Sequence, residues 1–396
     1  MYRVISNITI VQQPRSGMVR NKTLIFDFVH EFSCSDNWRD LTNKGKVTVP
    51  KNLYVRDANN QLVPLFGTNV NIGGFSSNPP LLMRGDQVTI DWGYKFFKNG
   101  KEIFQGTKSN NGSLFQGWIS EVTSKKPMEF LVEDNMWKLK QIQAPLHTFS
   151  ATDTLENILS YLLKNTPYTV NALTSTTFGA FRVGNETVAE VLARLRKQFH
   201  FESYFRGNEL RCGSTIYIES EANTSTFTFQ QNIISDELEY RRKDDIVLSI
   251  VASNKIEEET GKLTKDGHNK TKCTRLEVLV TLQNGSDVPT TFVKTKGQDY
   301  PPNTGGERMT LPYPGATSIA QLVSLATAEL KKFYYTGFKG KFTTFGLPYV
   351  RMGDNVQLMD NVLPERNGLY KVRGVEYTGG VNGLRQTIEL DYLILN

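Results

Sequence analysis

The sequence predicts a mainly β protein with an α+β insertion: two barrel-like β units from an internal duplication, plus a small α/β domain between them. Three observations lead there. The first is a corner that occurs twice. Residues 83–91 read MRGDQVTID and residues 351–360 read RMGDNVQLMD. Gly85-Asp86 and Gly353-Asp354 make the corner, Val88 and Val356 follow two residues on, and Ile90 and Leu358 two beyond those. Apolar residues at every second position are the pattern of a half-buried strand, and glycine supplies turn angles that other residues avoid. Each corner is expected to lead to a return strand ending in glycine, residues 103–106 after the first and 370–374 after the second. The second observation is length: 396 residues exceed one core and suit two or three domains of roughly 150 residues. The third is a change of period along the chain, from two to 3.6 and back.

In chain order, residues 23–32 and 46–55 alternate as strands, and residues 57–80, rich in Asn, Gly, Ser and Pro, read as a long loop. Residues 94–98 and 101–105 flank Asn99-Gly100, the pair preferred in a two-residue hairpin turn because both positions need positive φ. Residues 117–123 and 129–134 are further strands, and residues 135–141 a single helical turn. From Asp153 the period changes. Leu155, Ile158, Leu159 and Leu162 fall on one helical face behind Asp153 as cap, and Thr187 with Glu190 spells a capping box before Val188, Val191, Leu192, Leu195 and Phe199. A hairpin follows, residues 201–205 and 209–218 about Arg206-Gly207-Asn208. Residues 246–253 and 274–282 are strands joined by a charged loop, 255–272; residues 296–316 form a Pro/Gly-rich crossing segment. A helix over 317–335, with Ile319, Leu322, Val323, Ala326, Leu330 and Phe333 inward and Gly337 as its stop, precedes the repeated strand pair and a last strand over 384–395. The expected domains are 1–145, a first barrel; 146–235, a small α/β domain; and 236–396, a second barrel carrying the long helix.

Composition narrows the function. Apolar residues make up 39% of the chain and aromatics 11%, enough to bury such cores. Mean hydropathy is −0.37 and no apolar run reaches the length of a membrane helix, so membrane insertion is not expected; nor is a signal peptide, since no basic start leads into an apolar stretch. Cys34, Cys212 and Cys273 are few, odd in number and far apart, which fits neither a disulfide framework nor a zinc motif and implies synthesis in a reducing compartment. The net charge of +6 lies wholly in the first 150 residues, where 18 Lys/Arg stand against 12 Asp/Glu; the remainder holds 28 of each. This excess is too dilute for a dedicated nucleic-acid stripe.

Four stretches together carry a resemblance. They are residues 132–139 (VEDNMWKL), the helix 187–199 with its hairpin, Thr310-Leu311-Pro312 leading into the Ala/Leu-rich helix with Tyr335 and Gly337, and Phe345-Gly346-Leu347-Pro348 through Gly353-Asp354 to residues 368–372 (GLYKV). In order and spacing the chain resembles the baseplate hub proteins of contractile phage tails and contractile injection systems, the phage late control D proteins and the hub part of type VI secretion spike proteins. The resemblance implies two tube-like β-barrel domains and an α/β part. It also implies a homotrimer whose pseudo-hexameric ring joins a hexameric tail tube to a trimeric central spike, with other baseplate proteins around it. An axial channel passing DNA or effector follows, as does a place in the virion tail baseplate after assembly in the bacterial cytoplasm. Carbohydrate-binding or adhesin-like tail module and peptidoglycan-degrading tail enzyme are the alternatives.

No catalytic, cofactor or metal site is expected. Arg84-Gly85-Asp86 spells an adhesion triplet, but the matching Gly353-Asp354 marks it as a turn. His30, His147, His200 and His268 share no ligand spacing, and His200 reads as a favourable last-turn residue. No nucleophile elbow, Walker loop or dinucleotide fingerprint is present. The carboxylates Asp244-Asp245 and Glu257 to Glu259 sit in polar segments, and the aromatic-basic mix over 92–101 is explained by a hairpin with one buried face.

Overall fold

The computed structural model describes all residues except 1, 27–28, 50–53, 57–61, 65–80, 108–111, 124–126, 151, 175–176, 178–180, 215–221, 264–268, 303–305, 314–315 and 395–396; the side chains of 2, 54–56, 62–64, 256–263 and 269–273 also lie outside the description. The fold is mainly β. The predicted loop 57–80 falls outside the described residues except for Leu62–Pro64, which pairs with Tyr54–Arg56.

A 14-stranded sheet dominates. Its main path runs Ile233–Arg241, Gly337–Phe345, Arg385–Leu393, Gly368–Gly380, Glu31–Asn37, Lys44–Thr48, Glu129–Glu133, Phe115–Val122, Gln87–Lys98, Tyr2–Val11 and Thr23–Phe26. Along that path one arrangement occurs twice. In the first half Gln87 faces Trp118 and Ile90 faces Phe115; in the second Asn355 faces Lys371 and Leu358 faces Gly368. Both halves bulge at the same point: Val132 faces Ile119 and Leu131 faces Glu121, as Leu390 faces Val372 and Glu389 faces Gly374. Val47 sits between Phe32 and Phe130 just as Phe342 sits between Asp236 and Ile388. Five strands thus correspond in order and in register.

This correspondence corrects the expected return strand. The counterpart of Gly368–Gly380 is Phe115–Val122, not residues 103–106. Lys101–Gly106 pairs only with the far half of Gln87–Lys98, through Asn99 and Gly100 at φ 53° and 75°. It is an added hairpin that separates the first corner from its true return strand in sequence.

The two halves meet on one strand. Gly368–Gly380 pairs with Asn355–Met359 through its first residues and with Glu31–Asn37 through Gly374 to Gly380. Beneath this seam the fully buried Trp92 lies 5.3 Å from Tyr377, 6.3 Å from Phe32 and 6.4 Å from Tyr349, centroid to centroid, each edge to face. Such pairs add to the burial of large rings. One apolar core runs from Ile8 and Val88 in the first half to Phe227 and Ile388 in the second. Gly379 faces the Phe32 ring so closely that any Cβ there would collide with it and would lie 2.9 Å from Leu384 Cδ2.

A second core belongs to the α/β part. The short helix α1 (Met136–Leu139), α2 (Leu155–Leu163) and α3 (Val188–Phe199) pack with Phe149, Phe181, Phe201 and Leu210. In α3 the capping box closes as predicted: Thr187 Oγ1 accepts from Glu190 N at 3.3 Å and Glu190 Oε2 accepts from Thr187 N at 2.7 Å. The α2 cap is Thr154, accepting from Asn157 N at 3.3 Å, and not Asp153, whose carboxylate instead accepts from Ser150 N at 2.7 Å. Asp153 closes the turn before the helix, one residue too early to cap it.

The third core covers a separate four-stranded sheet. Leu248–Leu263 and Asn269–Leu282 form a long hairpin flanked by Thr290–Val293 and Glu307–Pro312, under α4 (Ile319–Phe333). The expected loop 255–272 is therefore largely paired strand. Cross-strand hydrogen bonds satisfy a charged ribbon as well as an apolar one, so charge alone did not mark a loop. Helix α4 ends at Tyr334, whose N–H donates to Leu330 O at 2.9 Å; Gly337 opens the next strand and is not the stop. Thr224–Thr228 and Ile233–Arg241 pair with Asn355–Met359 and Gly337–Phe345, so the second β unit draws on strands on both sides of residue 235.

Replacing Trp92 with Ala should destabilise the fold by about 3–5 kcal/mol, as for other large buried aromatics, and Gly379→Val by about 1–3 kcal/mol through overpacking. Urea denaturation checks both, with the exposed Phe97→Ala expected to fall within about 0.5 kcal/mol of the parent.

Candidate assembly interface

The two Gly-Asp corners are built alike down to their hydrogen bonds. Gly85 and Gly353 take φ 91° and 82°, angles that favour glycine. Asp86 N donates to Met83 O at 3.1 Å while Asp86 Oδ2 accepts from Met83 N at 2.8 Å; Asp354 N and Oδ2 make the same two bonds to Arg351 O and N, at 3.1 and 2.8 Å. Gly85 N donates to Ile119 O at 2.7 Å and Ile119 N to Asp86 O at 2.8 Å; Gly353, Val372 and Asp354 repeat this at 2.9 and 2.9 Å. Val88, Ile90, Val356 and Leu358 beyond the corners are all fully buried. The aspartates hold the turn, and each glycine permits it.

The corners differ outside this frame. Asp86 also accepts from Gln13 N at 3.0 Å and pairs with the Arg20 guanidinium, both side chains being buried. Buried in this way, Asp86 is out of reach of an adhesion receptor. Burial raises the Asp354 carboxyl, against the hydrogen bond from Arg351 N and the charge of Arg206.

A polar cleft of about 650 Å³ lies where the three parts meet, lined among others by Asp36, Asp134, Arg206, Arg351 and Asp354. Asp36 Oδ2 accepts from Arg206 Nη1 of the α/β hairpin and from Met352 N beside the second corner, both at 3.3 Å. Arg206 also donates to Met352 O, and Arg351 Nη2 donates to Ser113 O at 3.3 Å. These bonds tie the α/β part to both β halves. Asp134, buried behind the cleft, accepts from Asn43 N and Met136 N at 3.0 Å each, and burial pushes its carboxyl up to about 7. Glu202 is likewise pushed up to about 7 by burial, despite Arg196 Nε at 2.9 Å.

Two outer strands of the large sheet, Ile233–Arg241 and Thr23–Phe26, end its main path and have no further strand beside them among the described residues. Asp236, Glu237 and Glu239 on the former are exposed, as are Ile234 and Ile25. Open edges of this kind are templates for pairing with another chain.

No group of three or more His, Cys, Asp or Glu that could hold a metal occurs among the described residues. His30, His147 and His200 are exposed and apart, and His268 lies outside the description. His200 ends α3 in a left-handed conformation, φ 53°, and partial desolvation of its ring together with the charge of Arg196 holds its imidazole below the usual range. It therefore terminates the helix through its backbone, not as a last-turn cation. Asp244 sits in the short turn Lys243–Asp245 with Arg242 at 3.2 Å, whereas Glu257 to Glu259 lie on the long hairpin strand. Trp92 belongs to the core and not to a ligand platform. The sequence held no sign of Asp36 or Arg206 as joints, because their partners are remote in the chain.

This sheet arrangement defines a fold class, that of solved phage tail proteins. The chain has the fold of the 43 kDa tail protein of prophage MuSo2 from Shewanella oneidensis, with 11% identity, 98% of each chain covered and a TM-score of 0.53. It is similar in the same degree to the tail protein from Neisseria meningitidis MC58, at 10% identity, 97% and 96% coverage and a TM-score of 0.53. No protein-family model and no curated protein sequence matches it.

Asp86→Ala strips a buried guanidinium of its carboxylate and should cost about 3–5 kcal/mol; Asp354→Ala, losing turn hydrogen bonds in a wetter site, about 1–3 kcal/mol. Chemical denaturation of the two variants measures the difference. For pH, a carboxyl at about 7 in the fold against about 4.3 when unfolded binds more protons folded, so its contribution favours the fold on the acid side and is lost as pH rises through 7. Melting temperatures of Glu202→Gln between pH 5 and 8 should therefore fall less steeply with rising pH than those of the parent.

Proposed function

We propose that the chain is a non-enzymatic structural hub of a phage-type contractile tail. Three copies close a ring of six similar β units that joins the hexameric tail tube to a trimeric central spike and leaves an axial channel for DNA or effector. The observation that carries this reading is the repeated five-strand register, with its bulge and its corner hydrogen bonds in the same places. A duplicated tube-like unit lets a threefold assembly present near-sixfold symmetry on one face, through a closed set of repeated interfaces. The open strand edges support it, since a ring pairs edges that a monomer leaves exposed. The likeness in fold to the Shewanella prophage tail protein supports a place in the tail baseplate. The two β units, roughly 1–145 and 236–396 with the strands just before 236, would form the ring, and the small α/β domain would face other baseplate proteins.

Light scattering of the purified chain, alone and with the spike protein of its own tail, tests this. The expected mass is three times 44.8 kDa, with or without bound spike. A chain that stays monomeric in both conditions contradicts the proposal.

A further inference from the structure

The repeated register leaves the chain with one joint made and an equivalent joint open. Inside the molecule, Gly374 to Gly380 receives Glu31–Asn37 on the flank not taken by Arg385–Leu393, in the register Gly374 to Asn37, Val375 to Asp36 and Glu376 to Ser35. The counterpart of Gly374 is Glu121, because each faces the bulged partner at the same point, Leu131 for Glu121 and Glu389 for Gly374. The counterpart of Glu31–Asn37 is the stretch from Ser235 to Arg241. Glu31 and Ser235 face Thr48 and Thr343, which hold equivalent places opposite Glu129 and Thr387. Among the described residues, the flank of Phe115–Val122 beyond Trp118 that lies away from Glu129–Glu133 carries no strand, and neither does the outer flank of Ile233–Arg241.

We infer that a second copy of this chain makes the open joint: Ile233–Arg241 of one copy adds antiparallel to residues 121–123 of the next. The register carried over from the internal joint is Glu121 opposite Arg241, Val122 opposite Tyr240 and Thr123 opposite Glu239. The residues fit the geometry. Glu121 and Arg241 are opposite charges directly across, and Val122 with Tyr240 is a β-branched and aromatic pair, both combinations that favour cross-strand contact. Glu239, which lies 3.2 Å from Arg241 within its own strand, brings a second carboxylate to the same guanidinium. The pairing is short by necessity. The strand Phe115–Val122 ends at Val122, and Thr123 N already donates to Glu129 O at 2.9 Å across the hairpin, so the internal joint is the longer of the two. This inference rests on the ring reading and names the interface that would close it.

The test is a double variant, Thr123→Cys with Glu239→Cys, oxidised and run without reductant beside each single variant. Directly opposed residues in an antiparallel pair lie about 4.5–5.5 Å apart at Cα, within disulfide reach. The expected result is a covalent ladder ending at three chains in the double variant only, with the peptide carrying residue 123 linked to that carrying 239. As a second reading, Glu121→Arg should weaken assembly about fivefold per joint and the added Arg241→Glu should restore it. Oligomers by light scattering with no such cross-link and no rescue overturn this register while leaving the ring standing. Absence of any oligomer, with and without spike, overturns both.

Discussion

Everything in this molecule hangs on the pairing of Gly374 to Gly380 with Glu31–Asn37. Without it the two β halves would be separate sheets, each with an open flank. With it they share one sheet and one apolar core centred on Trp92, Phe32 and Tyr377. Close approach at this seam excludes any side chain at Gly379, so strand pairing and ring packing are secured at one place. The α/β part is then fastened across the seam by Asp36, Arg206 and Met352.

The polar groups tell the same story. Asp86, Asp354 and Asp134 are buried carboxylates, the sort of group that often marks chemistry. Here each accepts from main-chain N–H groups, Asp86 from Met83 and Gln13 with Arg20 beside it, Asp354 from Arg351, and Asp134 from Asn43 and Met136. The raised carboxyl of Asp134 follows from desolvation, and its neighbours are main-chain donors in place of a nucleophile or a metal. Buried carboxylates can thus be structural fixings, and their partners decide which role applies.

What could be read from the sequence was what short stretches of chain determine. The Gly-Asp corners, the Asn99-Gly100 turn and the Thr187/Glu190 capping box each depend on residues within a few positions, and each formed as its chemistry required. The seam is different. Asp36 and Met352 are bonded across 316 positions, and no local pattern reports such a meeting. The return strand was misplaced because an inserted hairpin with an unmistakable turn lay nearer to the corner than the true partner, Phe115–Val122. The strands at 246–253 and 274–282 are legible in the sequence, but their continuation into 255–272 is not, because pairing in a charged ribbon follows from backbone hydrogen bonds and not from an apolar pattern. The corners are legible in the sequence and the open edges of Ile233–Arg241 and Thr23–Phe26 are not, since an edge is defined by which strand fails to arrive.

Two equivalent β units per chain would give a three-copy ring near-sixfold order. Electron-microscope images of the assembled particle, averaged end on without imposed symmetry, test this most directly. The expected image has six similar densities about an open axis, alternating between two kinds so that the true order is threefold. An average with no axial opening, or with a symmetry in which the two halves of the chain occupy unlike positions, would contradict it.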